Sequence, residues 1–276
     1  MSEIPVSVLI LTLNEETNIG RCLTALGWSD DVVVLDSFST DRTVELAQNA
    51  GARIHQRAFD NFAGQRNHAL NHVEFKHDWV LHLDADEVVT EALMRELERV
   101  VRQPEFDAYR IAGKLIFQGR WLRRSGMYPV YQVRLGHKEK LRFRQSGHGQ
   151  QETLATERIG TLSEPYLHYG FSKGIGDWIE RHNRYSSAEA KENVRDQQPL
   201  VAAFRQLFAA DRTRRRRGMK ALSRRLPFRP FLRFLYMYLL KMGFMDGHPG
   251  WTYCRMMAAY EYWIVLKERE LRRARK

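Results

Sequence analysis

Apolar and polar positions follow two different periods in the first hundred residues. Four short runs predict strands, and the first is almost continuously apolar and rich in β-branched residues, which is typical of a strand buried on both faces. They are VSVLILTL (6–13), VVVLD (32–36), ARIH (52–55) and WVLHLD (79–84). Apolar residues between and after them recur at helical spacing, as in the stretch that begins at the capping residue Thr90 and continues with Leu93, Leu97, Val100 and Val101. Strands that alternate with helices predict a doubly wound, mostly parallel α/β sheet.

Polar clusters follow three of these strands directly. NEE (14–16) comes after the first strand, DSFSTD (36–41) ends the second, and DADE (84–87) ends the fourth. Ligands of doubly wound sheets bind outside the carboxyl ends of the strands. We therefore expect the three clusters to converge on one site.

The pattern changes at about residue 107. Segments such as DAYRIAGKLIF (107–117) and YPVYQVRL (128–135) predict strands of mixed direction, and a helix is predicted from residue 177. From residue 199 the chain is helical, basic and aromatic. We predict three parts: an α/β half (1–106), a second half of the same domain (107–198) and an appended basic, amphipathic helical region (199–276).

Size and composition indicate a globular protein of a reducing compartment. The 276 residues are 43% apolar, which is enough for a packed core. Cys22 and Cys254 are far apart and form no CxxC pair, so neither a disulfide framework nor a zinc cluster is indicated. The N-terminus lacks the positive region of a signal peptide, and no stretch approaches the ~20 apolar residues of a membrane-spanning helix. We expect a cytoplasmic chain that does not cross a membrane.

The net charge of +11 is concentrated in one segment. Residues 212–245 contain eleven Lys or Arg and no acid, and the cations run into the apolar stretch FLYMYLL (234–240). That composition is typical of a segment lying in the headgroup region of an anionic membrane. Nucleic-acid binding would use the charges but would not need FLYMYLL. A third interpretation is a solvated arginine run beside an ordinary buried helix.

Asp84 and Asp86 form a DxD motif at the end of a buried strand. The turn after the first strand lacks a GxGxxG loop, so a bound diphosphate needs another counter-charge. A divalent cation bridging the diphosphate to paired carboxylates supplies one, and oxygen ligands favour Mg²⁺ or Mn²⁺ over zinc. One alternative is a pair of acids that merely ends a strand.

A second alternative is a phosphatase of the haloacid-dehalogenase type. WVLHLDADEVV (79–89) matches its DxDx[TV] motif, in which Asp84 would be the nucleophile. That motif normally opens its domain, whereas two strand-helix units precede it here.

The N-terminal motifs together resemble a known family. SVLILTLNEETNIGRCLTAL (7–26), VVVLDSFSTDRTVELAQNAGARI (32–54), GQRNHAL (64–70) and WVLHLDADEVV (79–89) are similar to the nucleotide-sugar-binding half of inverting family 2 glycosyltransferases. The later segments GRWLRRSGMYPVYQVRL (119–135), GQQETL (149–154), GTLSEPYLHYGFSK (160–173) and HNRYSSAEA (182–190) resemble, more loosely, the bacterial lipopolysaccharide-core and exopolysaccharide subgroup. The resemblance implies a GT-A fold, in which a Rossmann-like sheet merges with an acceptor-binding half.

The resemblance also assigns roles in donor binding. Asn14 and Glu15 lie where the family contacts the nucleoside, and Asp36 lies where it hydrogen-bonds the base, usually uracil. Arg66, in GQRNHAL, matches a basic residue that faces the base or the diphosphate.

The DxD acids have related roles in the family. Asp84 matches the acid that reaches toward ribose and metal, and Asp86 the acid that reaches toward metal and diphosphate. His168 matches the histidine of the subgroup's L-H-Y segment, where a buried structural histidine and a metal or phosphate contact are both compatible with the sequence.

Glu152 is the candidate catalytic base. Inversion requires a base that takes the proton of the acceptor hydroxyl, and the subgroup carries its glutamate in a His-Glu pair. Here the pair reads Gln151-Glu152, so the glutamate is present and the histidine is not. His148 could replace the missing imidazole, and an ordinary surface acid is the alternative for Glu152.

These expectations combine into one hypothesis. The chain is expected to be a metal-dependent, inverting hexosyltransferase-type enzyme that moves a sugar from a nucleoside diphosphate, with UDP expected, to a lipid-linked saccharide acceptor. The implied process is bacterial lipopolysaccharide or exopolysaccharide assembly, at the inner face of the cell membrane through residues 212–245. No nucleic-acid partner is expected. The phosphatase and a basic nucleic-acid-binding protein remain the alternatives.

Overall fold

The computed structural model describes residues 4–146, 149–195, 199–209, 212–223 and 225–274. The chain divides into two compact units. The first unit comprises Met1–Arg123 and Met127–Gly174, and the second comprises Arg124–Gly126 and Ile175–Lys276. The sequence-based boundaries after residues 106 and 198 stay predictions about functional halves.

The first unit contains the strands and four helices. Its strands are β1 (Val6–Thr12), β2 (Val32–Asp36), β3 (Arg53–Gln56), β4 (Trp79–Asp84), β5 (Glu87–Val88), β6 (Ala108–Phe117), β7 (Arg120–Trp121), β8 (Tyr131–His137), β9 (Phe143–Ser146), β10 (Gly149–Glu152), β11 (Ile159–Thr161) and β12 (Tyr166–His168). Its helices are α1 (Glu16–Thr24), α2 (Thr43–Asn49), α3 (Phe62–His72) and α4 (Glu91–Arg102), with a 3₁₀ turn at Thr156–Arg158.

The N-terminal part of this unit is the predicted parallel sheet. The four strands run in the order β3-β2-β1-β4, and every pairing among them is parallel. β1 is buried on both faces because helices cover both: Ile10 packs in the same cluster as Leu93 of α4, and Leu9 in the same cluster as Leu70 of α3. The continuously apolar strands therefore reflect burial on two sides.

The strand register aligns the carboxyl ends. Thr12 of β1 lies opposite Asp36 of β2, and Leu11 of β1 lies opposite Asp84 of β4. The predicted convergence of the three strand ends is thus confirmed, because the polar clusters follow strands that end side by side.

The sheet continues into a mixed part. β8 joins β4 in the antiparallel direction, and the order continues through β6 and β12 to β5. β9 and β10 pair with each other as a separate antiparallel ribbon, in which Glu152 lies opposite Phe143. The change from parallel to mixed pairing occurs where the sequence pattern changes.

The second unit is helical in its described parts. Its helices are α5 (Gly174–Arg195), α6 (Leu200–Leu207), α7 (Arg212–Ser223), α8 (Arg229–Leu235) and α9 (Gly247–Arg273), with a π-helical turn at Tyr236–Leu240 and a 3₁₀ turn at Gly243–Asp246. The buried Asp246 carboxylate accepts hydrogen bonds from the Ser125 backbone N–H (2.7 Å) and hydroxyl (2.7 Å), which explains why Arg124–Gly126 belong to this unit. Across the described residues, none of the helices combines the length and the hydropathy needed to span a bilayer.

The role of Thr90 as the N-cap of α4 can be tested by substitution. As predicted, Thr90 caps this helix, and its hydroxyl oxygen accepts the Leu93 backbone N–H at 3.1 Å. Thr90→Ala should lower the free energy of unfolding by about 1 kcal/mol in urea denaturation, because the N–H loses its partner. Thr90→Ser keeps the acceptor and should stay close to the parent protein. Equal losses in both variants would contradict the capping role.

Candidate functional site

The loops after β1 and β2 are joined by hydrogen bonds. The Asn14 backbone N–H donates to the Ser39 hydroxyl (2.8 Å), and the Asn14 side-chain oxygen accepts the Thr40 N–H (2.8 Å). Asn14 has a φ of 54°, a left-handed conformation that asparagine tolerates better than most residues. The two loops therefore form one connected polar rim.

Asp36 is fully buried below this rim. Its carboxylate accepts the Thr12 hydroxyl (2.9 Å), the Ser39 hydroxyl (2.5 Å) and the Ser39 N–H (2.8 Å). These donors explain how an acid can end an apolar strand without unsatisfied polar atoms. Phe38, next to it, has a φ of 62° and is 55% exposed. A bulky residue in that conformation is rare, and its ring lies open to solvent at the strand end.

Glu15 contacts a residue from the far end of the unit. Its carboxylate accepts a hydrogen bond from Asn18 (2.7 Å) and pairs with the Lys173 ammonium (2.5 Å). Burial raises the pKa of the Glu15 carboxyl, while Asn18 and Lys173 act in the opposite direction. Lys173 therefore brings a positive charge to the end of β1.

A network of buried charges holds the DxD segment. Asp84 accepts from Arg66 through Oδ1 (2.7 Å) and from Arg134 through Oδ2 (2.7 Å). Arg134 also donates to Glu87, whose second carboxylate oxygen accepts the Asp84 backbone N–H (3.0 Å). Arg66, Arg134 and Glu87 are each at most 2% exposed. One arginine thus fixes both ends of the segment from Asp84 to Glu87.

The pKa values in this network follow from burial and charge. Burial alone would raise the pKa of Asp84, but Arg134 and Arg66 together hold it below its ordinary range, so Asp84 is ionised. Burial raises the pKa of Glu87 to about 7 despite the neighbouring Arg134. Burial also lowers the pKa of Arg66 to about 10, which leaves the guanidinium charged at neutral pH.

Asp86 lies on the other side of the same turn and faces His168. The distance from Asp86 Oδ2 to His168 Nε2 is 3.4 Å. Burial would lower the pKa of His168, yet Asp86 raises it to about 9, so the pair resembles a carboxylate beside a cation. The Asp86 carboxylate is a suitable ligand for Mn²⁺ or Mg²⁺, whereas His168 would have to release its proton before its imidazole could bind a cation. Within the described ranges, no three His, Cys, Asp or Glu side chains form a complete metal cluster.

Glu152 lies at the end of β10, and α3 holds the ribbon that carries it. The Arg66 Nε donates to the Gln150 side-chain oxygen (3.0 Å), and Asn67 exchanges two hydrogen bonds with the Phe143 backbone (2.7 and 2.9 Å). Arg66 therefore joins the DxD acid to the strand of the candidate base. His148, the alternative imidazole, lies outside the described residues.

Sequence reasoning missed several residues of this site. Arg134 and Glu87 were not predicted to participate, nor was Lys173. Arg134 stands inside the strand YPVYQVRL, where a buried arginine between apolar residues is unusual and could have indicated a buried partner. Lys173 is an ordinary lysine in the printed sequence, and only the fold brings it to Glu15.

Comparisons with known proteins agree with this geometry. The profile described as "Glycosyl transferase family 2" matches residues 7–154. An "Uncharacterized glycosyltransferase" of Rickettsia bellii is 26% identical over 96% of this chain and 86% of its own length. The "Lipopolysaccharide core biosynthesis glycosyltransferase LpsC" of Rhizobium meliloti is 25% identical over 94% of this chain and 93% of its own length.

Solved structures give weaker likenesses. S. aureus TarS 1-349 is 17% identical, with a TM-score of 0.43 over 98% of this chain and 91% of that one. Mycobacterium tuberculosis glucosyl-3-phosphoglycerate synthase, in complex with Mn²⁺ and UDP-glucose, is 17% identical, with a TM-score of 0.46 over 63% of this chain and 73% of that one.

The parallel sheet with polar clusters at three aligned strand ends, continued by a mixed sheet, is the architecture of the GT-A class of glycosyltransferases that the resemblance implied. Because the family profile covers more than half of the chain, the protein belongs to glycosyltransferase family 2. This membership favours glycosyl transfer over the phosphatase and nucleic-acid-binding alternatives.

Arg134 allows a direct test of the buried network. Arg134→Met should lower the free energy of unfolding by about 3–5 kcal/mol, because it removes the arginine partner of the buried Glu87 and one of the two arginines that contact Asp84. In a Glu87→Gln background, Arg134→Met should lower the free energy of unfolding by clearly less, because the Glu87 charge is already absent. Urea denaturation of the four proteins gives the coupling free energy. Identical costs in both backgrounds would mean that Arg134 and Glu87 are not energetically coupled.

Proposed function

We propose that the protein transfers a hexose-type sugar, with inversion, from a nucleoside diphosphate to a lipid-linked saccharide acceptor in bacterial surface polysaccharide or lipopolysaccharide assembly. UDP is the expected nucleotide. The observation that carries the proposal is the alignment of three polar strand ends, in a member of glycosyltransferase family 2, around an ionised Asp84 and the adjacent Asp86.

The donor nucleoside would bind at the rim formed by the first two strand ends. Asn14 and Glu15 would contact the nucleoside. Asp36 would take its family role, a hydrogen bond to the base, only if the base displaced one of the donors that now bury the carboxylate. The exposed ring of Phe38 is available to stack on the base. The positive charges of Lys173 and Arg66 favour the diphosphate end of the donor.

Asp86 and Asp84 would hold the divalent cation together with the donor. Asp84 accepts hydrogen bonds from two arginines, and Asp86 faces His168, so a bound cation would compete with these positive groups for the two carboxylates. The cation, Mg²⁺ or Mn²⁺, would neutralise the charge that develops on the departing diphosphate. Lys173 would add to the same effect from the side of Glu15.

Glu152 would act as the base. The acceptor hydroxyl oxygen forms a bond to the anomeric carbon, the bond from that carbon to the diphosphate oxygen breaks, and the hydroxyl proton passes to the Glu152 carboxylate. Arg66 and Asn67 would position the ribbon for this step through Gln150 and Phe143. Attack from the face opposite the leaving group inverts the anomeric configuration.

The acceptor and the location rest on other observations. The R. meliloti relative is named for lipopolysaccharide core biosynthesis, and the two chains match over almost their full lengths. The cationic segment 212–245 fits an anionic membrane surface, as expected for an enzyme that meets its acceptor at the inner face of the cell membrane.

The function is tested by a screen of nucleotide sugars. The protein should hydrolyse one UDP-sugar slowly, without an acceptor, when Mn²⁺ or Mg²⁺ is present, and chelation should stop the reaction. Release of phosphate from a generic phosphomonoester, without turnover of any nucleotide sugar, would support the phosphatase instead.

Asp86→Asn tests the cation site. Turnover should fall on the order of 10²–10³-fold, the usual loss when one charge-stabilising group is removed. Mn²⁺ binding in the presence of UDP, followed by electron paramagnetic resonance, should weaken in parallel. Asp78→Asn, at the opposite end of β4, is the matched control and should leave both measurements unchanged. Parental Mn²⁺ binding in Asp86→Asn would exclude Asp86 as a ligand.

Glu152→Gln tests the base. The turnover number should fall by roughly 10²–10⁴-fold, the range for general-base removal, while UDP affinity measured by calorimetry stays unchanged. Glu157→Gln, an exposed acid five residues further along, is the control. A Glu152→Gln variant as fast as the parent would remove this residue from the mechanism.

A further inference from the structure

The second unit presents a large apolar surface that its core does not use. Twelve large apolar side chains between Leu226 and Tyr262 are exposed, among them Phe228 (80%), Leu240 (77%) and Phe231 (61%). We call residues 226–262 the apolar face. Exposed apolar patches of this extent mark interaction sites on soluble proteins.

A groove of about 480 Å³ lies within the apolar face. Aromatic side chains line it, and Phe234 and Trp251 pack edge to face at 5.1 Å. Two small residues of α9, Ala258 and Ala259, leave room between the rings. The groove is shallow and wide open to solvent, and its lining is almost entirely apolar.

The backbone of the apolar face is strained at two bulky residues. Phe228 and Met242 have φ values of 55° and 59°, and both side chains are exposed. A π-helical turn, Tyr236–Leu240, lies between them. Such features cost free energy and concentrate at functional sites. Core packing does not explain the positive φ values of Phe228 and Met242, because both side chains are exposed to solvent.

The exposed charged side chains of the apolar face are cationic. Its only acids by sequence are Asp246 and Glu261. Asp246 is buried against Ser125, and Glu261 pairs with Arg229 at 2.5 Å. Lys241 and Arg255 are exposed, and Arg255 also lines the groove. The surface therefore complements anionic groups that sit beside hydrocarbon.

We infer that the groove of the apolar face binds a single hydrocarbon chain of an anionic membrane lipid, with Lys241 and Arg255 near the headgroup. The inference rests on the proposed membrane location and sharpens it. It extends the contact beyond residue 245 to Trp251, Arg255 and Tyr262 of α9. A hydrocarbon chain matches the apolar lining, and an acidic protein surface would not.

Vesicle sedimentation of the full chain tests the charge requirement. The protein should bind vesicles of phosphatidylglycerol and phosphatidylcholine, and bind pure phosphatidylcholine vesicles much more weakly. Lys241→Gln with Arg255→Gln should weaken binding by about fivefold for each cation. Equal binding to both kinds of vesicle would overturn the anionic assignment.

Ala259→Phe distinguishes two hypotheses: that a lipid chain enters the groove, and that the apolar surface only contacts the bilayer. The substitution fills the groove while making the surface more apolar, so it should weaken vesicle binding on the order of tenfold if a chain must enter. Ala50→Phe, exposed on the first unit, is the matched control and should have no effect. Stronger vesicle binding by Ala259→Phe would overturn the groove.

Two further measurements complete the test. Quenching of Trp251 fluorescence by phosphatidylglycerol with a brominated chain, defined by difference from Trp251→Phe, should disappear in Ala259→Phe. Sedimentation equilibrium without lipid should show no self-association through this face. Dimers that dissociate on Phe231→Glu would assign the face to a second copy of the chain and overturn the lipid proposal.

A failure of the lipid-binding groove can be distinguished from a failure of the proposed glycosyl transfer. Acceptor-free hydrolysis of a UDP-sugar reports on the first unit, and it should be the same in Ala259→Phe as in the parent protein. Loss of vesicle binding with intact hydrolysis supports the groove. Absence of hydrolysis in the parent protein refutes the transferase, and vesicle binding is then judged separately.

Discussion

The position of Arg134 between Asp84 and Glu87 is the interaction on which the site depends. Taking the Arg134 guanidinium and the Glu87 carboxylate out of water is costly, and the cost is offset only when geometry and hydrogen bonding are nearly complete. Here Arg134 joins both carboxylates, and Glu87 also accepts the Asp84 backbone N–H. The turn that carries Asp86 is therefore held at both ends. Asp84, which we propose as a ligand of the donor's cation, is therefore ionised and held in place by the protein itself.

Arg66 extends this network to the other half of the first unit. It contacts Asp84 with one nitrogen and Gln150 with another, so the DxD segment and the ribbon of Glu152 share one side chain. Substitutions on either side should therefore not act independently. Within the part of the chain that the structure describes, the buried Arg66 Nη1 has no hydrogen-bond partner. Under the proposed function, the anionic donor would supply the missing acceptor.

Local patterns predicted much of the fold and part of the site. The continuously apolar strands, the Thr90 cap and the three strand-end clusters could be predicted because each depends on neighbours in sequence. Arg134 and Lys173 could not, because their partners lie 50 and 158 residues away. The cationic stretch could also be predicted from the sequence. The groove could not, because it forms only when α8 and α9 pack side by side. The roles of Asp36, Arg66 and Glu152 come from the family resemblance, since hydrogen bonds alone do not name a substrate.

The interlocked loops after β1 and β2 have a consequence for the speed of donor binding. Because Asn14, Ser39 and Thr40 already hold one another, the entropy of ordering these loops is lost when the chain folds and not when a nucleotide arrives. Under the proposed function, the nucleoside end of the donor would meet a preformed surface, and its association rate should depend on diffusion and ionic strength.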